Sequence, residues 1–166
     1  MRRAVLAVLL TLALPWVLVP DAQAQEAPGG YLPNEAAIPD GYELQGELLT
    51  RDGWGETVKK WYVHDETESD LRVIAVAARS EAVAQSVCDM AAERLRGDDF
   101  VVQPAEVGGM PGVVAERRMG LSYERAAFVT SGSACLGVRI AGQEDRLPEP
   151  SAAPILHAMV TKGRAA

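Results

Sequence analysis

The chain has 166 residues, 48% of them hydrophobic and 23% charged, with a net charge of −7 at neutral pH. That balance supports one packed core of ordinary size. It argues against nucleic acid or an anionic membrane as partner, because the basic residues are scattered through an acidic chain.

The N-terminus carries the three parts of an export signal in order. Arg2 and Arg3 are positive, Ala4–Val19 is apolar, and Ala22-Gln23-Ala24 supplies the small residues of a cleavage site before Gln25. The apolar run falls short of the roughly 20 residues of a membrane span, and Pro15 interrupts it. Residues 1–24 therefore read as a cleaved signal peptide, leaving a secreted or periplasmic chain with no stable membrane span. No cysteine follows the cleavage site to take a lipid.

Residues 25–40 hold Pro28-Gly29-Gly30 and Pro33-Asn34 without periodicity and read as a flexible lead-in to a single domain, 41–166. Gly41–Leu49 is a first strand with Tyr42, Leu44 and Leu48 expected on one face. Thr57–Val63 mixes β-branched and aromatic residues and is a clearer one. Leu71–Ala78 is apolar at nearly every position except Arg72, the pattern of a central strand. Ser80 is placed to cap a helix running to about Arg96, with Ala84, Val87, Cys88, Ala91 and Leu95 on one face. Phe100–Val107 is an edge or broken strand because of Pro104. Val113–Met119, Arg125–Thr130 and Ala134–Ala141 follow, the last two joined through Ser131-Gly132-Ser133. A closing helix opens at Ser151 and buries Ile155, Leu156 and Met159.

The two cysteines, Cys88 and Cys135, sit on the buried face of the helix and in a strand. In an oxidising compartment they are expected to pair. Leu136, Val138 and Ile140 share one face of that strand and Cys135, Gly137 and Arg139 the other, so helices are expected on both sides, the first over the cysteines. The sum is an α+β fold, an antiparallel sheet of five to six strands with two helices packed on it. The order of elements, with Gly109-Met110-Pro111-Gly112 leading into Val113–Arg118, resembles the PsbP/Mog1-like sandwich over about residues 41–163. That resemblance implies a small exported accessory protein without enzymatic activity, and it transfers no functional residue.

No catalytic motif is legible. Ser131–Cys135 contains no nucleophile elbow, and Gly108, Gly109 and Gly112 precede a strand and not a helix N-terminus, so they make a turn and not a phosphate cradle. His157 is expected on the exposed side of its helix. The segment His64-Asp65-Glu66-Thr67-Glu68-Ser69-Asp70 gathers four carboxylates and an imidazole, but lacks the spacing of a calcium loop. The aromatic residues Trp54, Trp61 and Tyr62, with His64, Asp65, Glu66, Glu68 and Asp70, form the candidate surface for a partner. The reading is an exported, non-enzymatic binding or accessory module for an extracytoplasmic protein or small ligand, without cofactor or metal. The alternatives are a carboxylate-based hydrolase and a cation-binding protein using loop 64–70.

Overall fold

The computed structural model describes residues 28–147 and 152–165. The expected export signal, its cleavage site and the Ser151 helix start lie outside the described residues. The chain builds β1 (Glu43–Arg51), β2 (Gly55–His64) and β3 (Ser69–Ala78), then α1 (Glu81–Gly97). It continues with β4 (Val101–Val107), β5 (Met110–Met119), β6 (Ser122–Ser131), β7 (Ala134–Gln143) and α2 (Ala152–Ala165).

The seven strands of the described residues form one sheet in the order β1-β2-β3-β7-β6-β5-β4, and every pairing is antiparallel. Two meanders thus meet where β3 pairs with β7, and α1 carries the chain from the middle of the sheet to its far edge. The expected count of five to six strands is corrected to seven. Pro104 is tolerated because β4 is the edge, where every second backbone N–H points away from the sheet and a proline costs no ladder bond. The strands also run longer than predicted, since Gly108 and Gly109 both adopt positive φ in a tight turn and Met110-Pro111-Gly112 joins β5.

The helices lie on opposite faces. Leu136, Val138 and Ile140 pack with Leu71, Val73 and Val58 against Ile155, Leu156 and Met159 of α2. On the other face Cys135 and Val76 pack against Cys88, and Ala115 and Ala126 pack against Leu95 and Phe100. Cys88 and Cys135 form a disulfide with a Cα–Cα distance of 5.6 Å. Ser80 Oγ accepts from Val83 N–H at 3.3 Å, capping α1. Ala84, Cys88, Ala92 and Leu95 form its buried stripe; Ala92 takes the deep place expected of Ala91.

The segment expected to be a flexible lead-in contributes to the core. Residues 28–31 and 35–37 form short 3₁₀ turns, and Tyr31 and Leu32 are buried in the α2 cluster. Lys162 Nζ of α2 donates to the Leu32 carbonyl at 2.9 Å.

Candidate functional site

α1 packs chiefly over β6 and β7, with further contacts to β3 and β4. Among the described residues its face of the sheet therefore stays open over β1, β2 and part of β3. Strand alternation decides what is displayed there. Gly46, Trp61, Arg72, Arg139 and Ala126 fall in one row across β1, β2, β3, β7 and β6. Leu48, Lys59, Ile74 and Gly137 form the next row.

The Trp61 indole is 39% exposed and lies against Gly46, in space that a side chain there would occupy. Beside it a depression of about 370 Å³ is lined by β2 from Lys59 to Val63 and by Asp70, Arg72 and Ile74. Arg72 Nε donates to Asp70 Oδ2 at 2.8 Å. Among the described residues Lys59 makes no ion pair. A flat aromatic floor between an unpaired ammonium and a half-exposed guanidinium suits a ligand with a planar or apolar face next to an anionic group.

At the inner end of the row the electrostatics change character. Glu124 is 7% exposed, the one buried carboxylate among the described residues. It accepts from Arg117 Nη2 at 2.7 Å and from Arg139 Nη2. Burial pushes its pKa up, but the two guanidiniums overcome that and hold it below the ordinary glutamate value. Both arginines also lie over the Phe100 ring, at 4.5 and 5.7 Å from its centroid. Arg117 Nη1 donates to the Asp98 carbonyl at 2.8 Å, satisfying an orphan group at the C-terminus of α1. A carboxylate pinned in its ionised form by two arginines is a poor proton donor, so this cluster locks the helix end to the sheet and does not serve as a general acid.

The candidate residues read from the sequence are not all brought together. Trp61 and Asp70 line the open depression. Tyr62 points to the opposite face, 7% exposed in the α2 core. Trp54 is exposed in the β1–β2 turn, at the other end of β2 from His64; Asp52 Oδ1 there accepts from Trp54 N–H at 2.8 Å. Asp65, Glu66 and Glu68 are exposed in the β2–β3 turn, where Glu68 has φ 52°. His64 is half-buried, edge-on to Tyr42 at 5.4 Å. Its imidazole occupies the space above Gly41. Ser69, 2% exposed, bonds Tyr42 Oη at 2.8 Å and Thr67 Oγ1 at 2.7 Å. Burial raises the Tyr42 pKa, so its hydroxyl stays protonated. His157 is exposed on α2. Among the described residues, no three His, Cys, Asp or Glu side chains are grouped to hold a metal, and no helix is long and apolar enough to cross a membrane.

Sequence reasoning missed Gly46, Lys59 and Arg72. Strand alternation puts Lys59 with Trp61, and Arg72 with Ile74, on common faces of their strands. Only the cross-strand register and the position of α1 bring those pairs together in the open.

Comparison with known proteins adds a fold and no family. No family model matches the sequence, and no curated protein matches it. Among solved structures, the chain is similar to the extracellular domain of PknH from Mycobacterium tuberculosis, with a TM-score of 0.57 and 10% sequence identity. The match covers 86% of this chain and 97% of that one. At that identity the likeness is one of fold.

Proposed function

We propose that this protein is a non-enzymatic binding module that works outside the cytoplasm and holds its ligand on the open face of β1–β3. The observation that carries the reading is the uncovered row of Trp61, seated on Gly46, beside Lys59 and Arg72. An exposed indole that the neighbouring strand makes room for is unusual on a solvated sheet face, and the adjacent cations stand out on a chain of net charge −7. The ligand class that fits is one with a flat apolar face next to a carboxylate or similar anion. Supporting an extracytoplasmic setting are the N-terminal export pattern, the Cys88–Cys135 disulfide and the fold shared with an extracellular domain.

The test is a binding screen of the purified chain against acidic saccharides and acidic peptides, read by indole fluorescence. Trp61→Ala and Lys59→Ala are expected to weaken any hit by about tenfold or more, the scale of one good aromatic or charge-assisted contact. Trp54→Ala, at the far turn, is expected to leave it intact. Undiminished binding by a folded Trp61→Ala chain would remove the open face as the site. Turnover of a glycan or ester substrate in the same screen would replace the reading with a hydrolytic one.

A further inference from the structure

β1 is a nine-residue sheet edge, exposed along almost its whole length, with Leu44, Leu48 and Leu49 all in solvent. Among the described residues only β2 pairs with β1, so its outer side displays a row of unpaired N–H and C=O groups, which proteins ordinarily blunt with charged side chains, above all lysine, with proline, with a bulge or with a covering segment. The opposite edge, β4, carries Pro104. β1 contains neither lysine nor proline. Its one irregularity is the shift of register between Leu44 and Gly46, which leaves Gly46–Arg51 regular.

We propose that this regular stretch pairs antiparallel with the same stretch of a second copy, about a two-fold axis at Leu49. The side chains supply the register. Glu47, Leu49 and Arg51 share the α2 face of β1, opposite Lys60, Val58 and Glu56 of β2. With Leu49 facing the partner's Leu49, Glu47 faces the partner's Arg51 and Arg51 faces the partner's Glu47. Within the chain, Lys60 already pairs with Glu47 at 3.2 Å, and Arg51 already pairs with Glu56. The seam therefore extends two existing pairs into a row of four alternating charges: Lys60, Glu47, the partner's Arg51 and the partner's Glu56. The symmetric row lies on the other side of the leucines. On the α1 face, Leu48 meets the partner's Thr50.

Neighbouring registers lose this match. An axis at Leu48 sets Glu47 against the partner's Leu49 and brings the irregular Gln45 into the seam. An axis at Glu47 brings two carboxylates together, which is destabilising for directly opposed like charges. The pairing is isologous, so it closes at two copies and does not propagate. It places both open faces on the same side of one continuous sheet. The contact is a single strand edge, smaller than the roughly 1,000 Å² of a standing interface, so the dimer is concentration-dependent.

Sedimentation velocity across a concentration series tests it with three variants at exposed positions. The wild type is expected to shift from monomer to dimer as concentration rises. Glu47→Arg alone and Arg51→Glu alone each put like charges across the seam twice and are expected to sediment as monomers. An equimolar mixture of the two restores opposite charges at both pairs and is expected to recover the dimer. Leu49→Cys is expected to give a covalent dimer on mild oxidation. A wild type that stays monomeric up to its solubility limit overturns the proposal. So does a single charge variant that dimerises like the wild type, or a mixture that stays monomeric.

Discussion

The Trp61 indole rests on Gly46 of the adjacent strand, so the absence of a side chain at 46 is what lets an aromatic ring lie flat on an open sheet face. Gly46→Ala puts a methyl group into the ring. Because Trp61 is 39% exposed, the ring can swing outward, and the fold is expected to lose no more than about 1 kcal/mol. The expected readout is a red-shifted Trp61 emission and loss of ligand on the open face, with the denaturation midpoint nearly unchanged. A large loss of stability with unchanged emission would show that the indole is held there by something other than the glycine.

The disulfide ties the middle of α1 to β7 across 47 residues of sequence. Loop-closure entropy for that length predicts a contribution of about 4 kcal/mol, inside the range of about 2–5 kcal/mol that removing a native disulfide from a small secreted domain typically costs. Reduction, or the pair Cys88→Ser and Cys135→Ser, is expected to lower the urea midpoint accordingly. The fold over α2 should persist longer in hydrogen exchange than α1, because the larger apolar cluster lies on the α2 side. Equal loss of protection on both faces would show that α1 and α2 unfold as one unit.

Leu156 and Leu49 show how much a leucine matters depending on the face it finds. Leu156 has 0% exposure between Tyr31, Leu32 and the sheet, whereas Leu49 is 65% exposed on the edge. Leu156→Ala is expected to cost about 2–5 kcal/mol through lost transfer energy and the cavity left behind. Leu49→Ala is expected to stay within about 0.5 kcal/mol in the dilute monomer. Chemical denaturation at low concentration measures both, and a comparable loss at the two positions would contradict the assignment of β1 to an open edge.

Much of this architecture is legible in the residues, because alternation and helical spacing are local. Leu136, Val138 and Ile140 against Cys135, Gly137 and Arg139 already divides β7 into two faces, and Ser80 before a helical stripe already marks the start of α1. The strand count went astray at Pro104, since sequence gives proline a penalty without saying whether its missing N–H faces a neighbour or solvent. The β1 irregularity at Gln45 changes the faces and not the count. Leu44 and Leu48 were expected to share a face, yet the register shift sends Leu44 to the side of Tyr62 and Leu48 to the side of Lys59. The candidate surface was only partly readable for a deeper reason. Trp61 and Tyr62 are adjacent letters of equal aromatic character, and which of the two is exposed depends on where α1 and α2 land on a sheet assembled from distant strands. Nothing local to residues 54–70 encodes that.

Glu124 gives the last prediction its sign. Its folded pKa is depressed, because hydrogen bonds from Arg117 and Arg139 outweigh the upward push of burial. In the unfolded chain it titrates near the ordinary value of 4.5. Below that value the unfolded chain takes up a proton that the folded protein refuses. The stabilisation is therefore present in full above about pH 4.5 and drains away as pH falls toward the lower folded pKa. Glu124→Gln leaves two guanidiniums stacked on Phe100 without their shared counter-charge. Breaking a buried pair costs about 3–5 kcal/mol, and the one-third exposure of the Arg139 side chain brings the expectation to about 2 kcal/mol at neutral pH. The gap between wild type and variant should narrow on acidification, since the wild type loses what the variant never had. Urea denaturation at a series of pH values between neutrality and strong acid measures that gap directly. A gap that stays constant across the series would mean that Glu124 titrates alike in both states and that the two arginines are held by their packing on Phe100 alone.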